Sequence, residues 1–335
     1  MGVGPHWYYD LDEQHRDYGT WITGYTTPKA GRYHEGLQAG DLSQSGFILK
    51  LTVESLLSRG GYDESDFCNR LDKDLFPRLD GTPSNGPGGY TSYSMRNAWR
   101  KRVVEKRPWG QCAGNADTTE AIERALAIAI LYANKPAELV EFVESNAALT
   151  EYDETVLALT IAFCSVLGLL VAGQRFDAKI GDTLVQMVDD GILPFHASLR
   201  PQTPASGQTR QPLAGQFSSP DALFLPRWAA ATAADPAIKI EPAWKITTVY
   251  GMPCAIYNLL PTAYYLAARF RDDFENAILH AVNGGGHNQA RTMLTGSLVG
   301  AQVGLSGIPT RFLEGLNDRE DLISLTVRLV QIEVD

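Results

Sequence analysis

Apolar residues recur every three to four positions along most of the chain, which is the pattern of helices that bury one face. The first such run begins at Phe47 and ends before Gly60, and the second extends from Ile122 to Leu131. Pro136 suits the first turn of the next helix, which is predicted to run through about Leu149. The same spacing predicts further helices near 153–173, 178–190, 253–270, 273–283, 289–304 and 318–332. No stretch alternates with a period of two, so the pattern predicts an all-α fold without a sheet.

The sequence also indicates where helices begin and where loops connect them. Asp153, Asp272 and Asp318 precede predicted helices and are expected to cap them. Residues 79–90 are rich in glycine, proline, serine and asparagine and predict a loop. Residues 199–220 predict a second loop, which is long enough to be mobile or functional.

Residues 156–173 carry no charge, a length that raises the possibility of a membrane span. Thr160, Ser165 and Gly168 interrupt this run, and acidic residues precede it. We therefore expect a central helix that is buried on all sides, and no membrane partner.

Composition and charge exclude some classes of function, nucleic-acid binding among them. The chain has 335 residues, of which 44% are hydrophobic and 20% charged, and its net charge is −10. A chain of this composition is expected to fold as a single globular domain, here residues 1–335. The densest basic stretch, between Arg96 and Arg107, has the spacing of a solvated helix face. A nucleic-acid partner is therefore not expected.

The four cysteines, at positions 68, 112, 164 and 254, form no CxxC pair. Their spacing suits reduced thiols better than a disulfide framework, and no signal peptide is visible. We therefore expect a cytoplasmic protein.

The most informative segment for chemistry is Ala281-Val-Asn-Gly-Gly-Gly-His-Asn-Gln-Ala290, which leads into a predicted helix. Consecutive glycines allow a ligand to approach the backbone closely, and the free N–H groups of a helix N-terminus favour polar or anionic ligands. The same pattern also occurs in plain tight connections. Gly285, Gly286, His287, Asn288 and Gln289 are the candidate site residues here.

Three other segments add candidates. Ser43, Gln44 and Ser45 open one predicted helix, where Ser43 is also a plausible cap. Asn115, Asp117 and Glu120 surround the start of another, where Asp117 or Thr118 would be an ordinary cap. His6, Trp7 and Asp10 lie near the start, and such aromatic residues either stack on a ligand or anchor a core. The candidate ligand-binding residues are thus His6, Trp7, Asp10, Ser43, Gln44, Ser45, Asn115, Gly285, Gly286, Asn288 and Gln289, and the candidate catalytic residues are Asp117, Glu120 and His287.

The glycine-rich segment resembles the C-terminal signature of the ADP-ribosylglycohydrolase family, Ala-Val-Asn-x-Gly-Gly-Asp-x-Asp-Thr. Residues 40–57 resemble the family's Thr-Asp-Asp helix, and the opening His6-Trp7 region is similar to the J-crystallin and selenoprotein J branch. The resemblance implies a compact orthogonal helical bundle. Family members usually begin with a further small-residue helix, so this element is expected to be missing or to precede Met1.

The resemblance also locates the family's metal-binding aspartates, and this chain has none of the four. Their positions correspond to Gln44, Ser45, His287 and Gln289. Hard divalent cations prefer carboxylate oxygens, so a pair of magnesium ions is not expected, nor any other cofactor. His287 is expected to form hydrogen bonds within the pocket.

Two classes of function remain open from the sequence. The first is a metal-independent hydrolase of an N-glycosidic or related bond, because carboxyl groups alone can cleave such bonds. The second is a catalytically silent protein that binds a ligand or serves a structural, crystallin-like role. In either ligand-binding case the expected partner is a small molecule, such as a nucleotide or an ADP-ribose-like compound.

Overall fold

The computed structural model describes residues 1–194 and 220–334 of the chain. This part of the chain forms 15 α-helices and no strand. The helices are α1 Leu11–Tyr18, α2 Gln44–Arg59, α3 Glu64–Arg70, α4 Tyr93–Trp99, α5 Glu120–Leu131, α6 Pro136–Ala148, α7 Glu154–Val171, α8 Ile180–Asp189, α9 Pro220–Ala234, α10 Ile246–Tyr250, α11 Ile256–Arg269, α12 Phe274–Val282, α13 Asn288–Val303, α14 Thr310–Glu314 and α15 Arg319–Leu329.

The all-α prediction is confirmed, and every predicted helix has a counterpart in the structure. Six helices were not predicted, because they are short or polar, or because proline interrupts their apolar spacing, as Pro226 does in α9. These six are α1, α3, α4, α9, α10 and α14.

The predicted helix caps are only partly correct. Asp153 caps α7 by accepting hydrogen bonds from the backbone N–H groups of residues 155 and 156. At α12 the cap is Asp273, one residue after the predicted Asp272. At α5 the capping position falls on Thr119, whose side chain does not cap the helix, so neither Asp117 nor Thr118 has this role. Asp318 precedes α15 but its side chain makes no capping bond.

Helix α7 lies at the centre of the fold. It packs against α5, α6, α9 and α13, and 78% of its residues are buried. Among the described residues it is the one helix long and apolar enough to cross a membrane, and its burial is that of a core helix. The side chains of Phe163 and Cys164 are fully buried, which explains the absence of a polar face.

A smaller apolar cluster lies between α2, α3 and α4. Its members include Ile48, Phe67, Leu71 and Met95. The predicted loop at 79–90 follows this cluster and is confirmed as a loop, apart from a short 3-10 turn at Pro87–Gly89. The second predicted loop lies almost entirely outside the described residues. The 79–90 loop matters for function because it runs across the start of α2.

Candidate functional site

Four helix N-termini come together on one side of the bundle, those of α2, α4, α5 and α13. Gln44, the first residue of α2, connects two of them. Its Oε1 accepts a hydrogen bond from the backbone N–H of Ser92 at 2.9 Å, and its Nε2 donates to Thr91 Oγ1 at 3.2 Å. Gly88 lies directly against this start, because a Cβ there would be 2.4 Å from the backbone N of Gln44. Its φ of +79° also favours glycine.

The N-terminus of α13 is fixed by backbone contacts. Gly286 pairs with the N-terminal segment: its N–H donates to the carbonyl of Tyr8 at 2.7 Å, and its carbonyl accepts from Trp7 N–H at 2.8 Å. Gly286 has a φ of +62°, and a Cβ there would be 2.2 Å from the carbonyl oxygen of Met252. His287 N–H donates to that same carbonyl at 3.0 Å. The glycines before α13 therefore allow three chain segments, at residues 7–8, at Met252 and at Gly286, to lie close together.

Three glutamates converge near the N-terminus of α5. Glu120 Oε2 accepts a hydrogen bond from the backbone N–H of Ser94 at 3.1 Å. Ser94 Oγ donates to Oε1 of Glu151, so a single buried serine binds both carboxyl groups. Burial and the neighbouring charge of Glu123 raise the pKa of Glu120 to about 7. Burial, opposed by the Ser94 hydrogen bond, raises the pKa of Glu151 to about 8.

Glu123 is 1% exposed and connects this group to the starts of α2 and α13. Its Oε1 accepts a hydrogen bond from Thr119 Oγ1 at 2.7 Å. Burial raises its pKa, and the nearby side chains of Ser45 and Gln289 oppose this rise. Arg124, also buried, donates to Asn146 Oδ1, to backbone carbonyls and to Thr150 Oγ1.

A group of aromatic and imidazole rings lies beside these carboxyl groups. The rings of His6 and Trp7 contact each other and those of Tyr33, Tyr90 and His287, with centroid distances of 4.7 Å from His6 to His287 and 5.1 Å from Trp7 to Tyr90. We call these five residues the ring cluster. The charge of Glu120 contributes to raising the pKa of Tyr90, which links the ring cluster to the carboxyl groups.

A cleft of about 540 Å³ opens on the outer side of the ring cluster. Trp7, Tyr9 and Tyr33 supply its aromatic walls, and Arg32 and Glu35 supply charge. A larger cavity of about 710 Å³ lies elsewhere, between α9 and the end of α11. It is lined by none of the candidate residues, so we take the cleft at Trp7 as the candidate ligand site.

Comparison with known proteins identifies the family of this chain. The sequence profile of the family described as ADP-ribosylglycohydrolase matches residues 1–334. The chain belongs to the ADP-ribosylglycohydrolase family. An uncharacterized protein of Archaeoglobus fulgidus is 36% identical over 77 residues, which is 23% of this chain and 24% of that protein. The chain thus matches about a quarter of that relative's length.

A solved structure titled "ADP-ribosylglycohydrolase-related protein complex" covers 99% of this chain and 93% of its own, with a TM-score of 0.61 and 18% identity. This likeness confirms the fold of the ADP-ribosylglycohydrolase type that the sequence resemblance implied.

Most of the residues predicted for the site are brought together by the fold. His6, Trp7 and His287 belong to the ring cluster, and Gly285 and Gly286 form the turn before α13. Asn288 is buried at the start of α13, and its Nδ2 donates to the carbonyl of Val282 at 3.0 Å. The remaining residues brought to the site are Ser43, Gln44, Ser45, Glu120 and Gln289.

Three predicted residues occupy more peripheral positions. Asp10 is exposed and caps α1, accepting from the N–H of Asp12 at 2.9 Å. Asn115 is exposed beside the bridge between Gly114 and Glu151. Asp117 is exposed, and its backbone carbonyl accepts from Ile256 N–H at 2.6 Å.

Sequence reasoning did not assign a site role to Glu123, Tyr33, His34, Tyr90 or Ser94. Glu123 lies one turn after Glu120 on the mostly apolar α5, next to Arg124, and charged residues are rarely buried unless they are paired or functional. The other four lie in segments without periodicity, so no local signal identified them.

At the positions that the sequence resemblance assigns to the family's metal ions, the side chains do not match the ligands of a pair of magnesium ions. Gln44 uses both atoms of its amide within the protein, and Gln289 Nε2 faces Met293 Sδ at 3.9 Å. Burial and the charge of Arg291 lower the pKa of His287 to about 3. Among the described residues no group of three or more His, Cys, Asp or Glu side chains is arranged to hold a metal ion. Neutral amides and one imidazole replace the carboxylates that magnesium prefers.

Proposed function

We propose that this protein hydrolyses an N-glycosidic or related bond in a nucleotide or sugar ligand, without a divalent metal and with Glu120 as the proton donor. The observation that carries the proposal is the pair formed by Glu120 and Glu151. Both bind Ser94, and both have a pKa raised into the neutral range, to about 7 and about 8.

Glycosidic bond cleavage needs a group that protonates the leaving group and a second group of opposite protonation state. A general acid is most effective when its pKa lies near the working pH. Glu120 meets this condition, since about half of its molecules carry the proton near pH 7. The residue as a whole is partly exposed, although its carboxyl group is buried enough to have a raised pKa.

Asp117 is the proposed second group. Burial raises the pKa of Cys254, and the charges of Glu120 and Asp117 raise it further, so both carboxyl groups lie near this thiol. Asp117 is exposed to solvent, whereas burial holds the proton on Glu120. Environments that separate two carboxyl groups in this way are typical of acid and base pairs. Asp117 would stabilise the positive charge that develops on the sugar or activate water.

His287 is proposed to bind the ligand rather than to transfer a proton. Its imidazole is neutral at pH 7, because its pKa is lowered to about 3. The walls of the cleft, Trp7, Tyr9 and Tyr33, offer faces on which a sugar or base can stack.

The alternative is a catalytically silent protein that binds a ligand or has a structural role. It is favoured by the replacement of all four aspartates at the family's metal positions, Gln44, Ser45, His287 and Gln289.

The test is a hydrolysis assay with excess EDTA on a panel of ADP-ribosylated arginine, nucleosides and nucleotide sugars. We expect EDTA-resistant turnover of at least one compound, a loss of 100-fold or more in Glu120→Gln, and little change in Glu144→Gln. Glu144 is a matched control, since it is a partly buried glutamate on α6 whose pKa is also raised by burial. Absence of turnover on the whole panel, or equal turnover by Glu120→Gln, would contradict the proposal.

A further inference from the structure

The first turn of α4 holds the carboxyl group of Glu120 in place. The backbone N–H of Ser94 donates to Glu120 Oε2 at 3.1 Å, and the hydroxyl of Ser92 forms a second hydrogen bond with the same carboxyl group. Ser92 and Ser94 are 5% and 0% exposed, so these contacts lie inside the protein. The first N–H groups of a helix have no partner within the helix, and a side-chain acceptor satisfies them. The place of the Glu120 carboxyl group therefore depends on where α4 begins.

Gln44 holds the start of α4 against the start of α2. Its Oε1 accepts a hydrogen bond from Ser92 N–H at 2.9 Å, and its Nε2 donates to Thr91 Oγ1 at 3.2 Å. Gln44 is 2% exposed, and Gly88 packs directly against its backbone. A buried amide that is bonded at both ends keeps its two partners at a fixed distance from the helix that carries it. Through Ser92, Gln44 therefore fixes the turn that binds Glu120.

We propose that Gln44 is a positioning residue for the reaction: it fixes the start of α4, and this turn in turn keeps the Glu120 carboxyl group in the place from which it donates its proton. The inference rests on the proposed function for the role of Glu120. The hydrogen bonds of the Gln44 side chain go to Thr91 and Ser92, so its effect on Glu120 is transmitted through α4.

This role depends on the length of the side chain at position 44. Aspartate is shorter than glutamine by one methylene group, so its oxygen atoms would end short of Ser92 N–H. Glutamate has the length of glutamine, and a protonated carboxyl group offers one acceptor and one donor, which is the pattern that Ser92 and Thr91 require. The sequence resemblance assigns an aspartate to position 44. In this chain an aspartate there would lose the contact that Gln44 makes.

The pKa of Glu120 reports whether α4 is in place. Burial raises the pKa of Glu120 and the charge of Glu123 raises it further, whereas hydrogen bonds from Ser92 and Ser94 lower it. If the start of α4 moves away, these two hydrogen bonds are lost while burial and Glu123 remain, so the pKa should rise. The other titratable groups near Glu120 are Arg124, Glu151, Cys254 and Tyr90.

The experiment measures kcat and KM from about pH 5 to about pH 9, with excess EDTA, for each compound of the hydrolysis panel that the protein cleaves. We expect Gln44→Met and Gln44→Asp to lower kcat by about tenfold or more and to change KM by less than about threefold, because a misplaced catalytic group slows the chemical step. The basic limb of the profile, where Glu120 loses its proton, should move to higher pH. Gln44→Glu should keep kcat within about threefold at pH 6, where its buried carboxyl group is protonated.

Gln174→Met is the matched control and should change neither kcat nor the pH profile. The Nε2 of Gln174 also donates to a threonine hydroxyl, Thr183 Oγ1, at 2.9 Å, but it does so between α7 and α8. The pKa of Glu120 is measured independently of turnover from its carboxyl 13C chemical shift, assigned by the absence of this signal in Glu120→Gln. It should rise in Gln44→Met and stay unchanged in Gln174→Met.

Unchanged kcat and an unchanged pKa of Glu120 in folded Gln44→Met would overturn the proposal. Equal losses in Gln44→Asp and Gln44→Glu would also overturn it, since length would then have no effect, and this comparison decides if Gln44→Met does not fold. If no compound is cleaved but the pKa of Glu120 still rises in Gln44→Met, Gln44 positions this carboxyl group and the proposed function is wrong. If EDTA-resistant turnover is insensitive to all three substitutions, the reverse holds.

Discussion

Replacing Glu151 with glutamine should stabilise the protein at alkaline pH and have little effect at acid pH. Glu151 is 1% exposed, its Oε1 accepts from Ser94, and its Oε2 has no partner. Glutamine has the same shape and keeps the acceptor for Ser94. Its NH2 group would lie where the protonated Oε2 now lies without a partner. At a pH where Glu151 is protonated, the two side chains should therefore be nearly equivalent.

The size of the effect follows from the pKa of Glu151, which burial raises from 4.5 to about 8, against the opposing hydrogen bond from Ser94. Below pH 4.5 both the folded and the unfolded chain hold this proton, and the contribution of protonated Glu151 to the free energy of unfolding is fully present. Between the two values the unfolded chain loses the proton while the folded chain retains it, so the free energy of unfolding falls as pH rises. At roughly 1.4 kcal/mol for each tenfold change, the loss from about pH 5 to pH 8 is on the order of 3 kcal/mol.

Urea denaturation at several pH values in this window measures the effect directly. We expect the difference in unfolding free energy between Glu151→Gln and the unsubstituted protein to grow by about 3 kcal/mol from pH 5 to pH 8. Glu141→Gln, on the exposed surface of α6, is the control and should show no such trend. A difference for Glu151→Gln that is constant with pH would refute the raised pKa, and with it the buried carboxyl pair.

Two further predictions concern the metal positions and the turn before α13. Magnesium or manganese at millimolar concentrations should not raise the unfolding temperature, because the side chains at 44, 45, 287 and 289 include no carboxylate; a saturable rise of several degrees that His287→Ala abolishes would show that these side chains do hold metal. Gly286→Ala should destabilise the protein by about 2 kcal/mol more than Gly304→Ala in urea denaturation. Both glycines have positive φ, but a Cβ at Gly286 would be 2.2 Å from the carbonyl oxygen of Met252, whereas Gly304 has no atom within 4 Å; equal losses would contradict the close approach.

The fold could be predicted from the sequence wherever a helix is long and has apolar residues at helical spacing. Helices α2, α5 and α7 have this character, since each contributes apolar residues at helical spacing to the core. The short helices could not be predicted, because tertiary contacts determine them. Helix α4 is an example: its first turn is fixed by Gln44, a residue 48 positions before Ser92 in the chain.

The site could be predicted only where a helix start coincides with a recognisable motif. Gln44, His287 and Gln289 were predicted in this way. Of the ring cluster, His6, Trp7 and His287 were predicted, but Tyr33 and Tyr90 were not, because they come from segments without periodicity and meet His6 only in the folded chain. The pKa of Glu120 was also not predictable, since it depends on burial and on Glu123.

The same distinction explains how the chain keeps the family's fold while its metal positions carry different chemistry. The backbone around these positions is held by Gly88 against α2 and by Gly286 against Met252, contacts that involve no metal-binding side chain. Side chains at 44, 45, 287 and 289 can therefore change without moving the helices that carry them. The side chains of Ser45 and Gln289 lie near the buried carboxyl of Glu123 and oppose the rise in its pKa that burial causes.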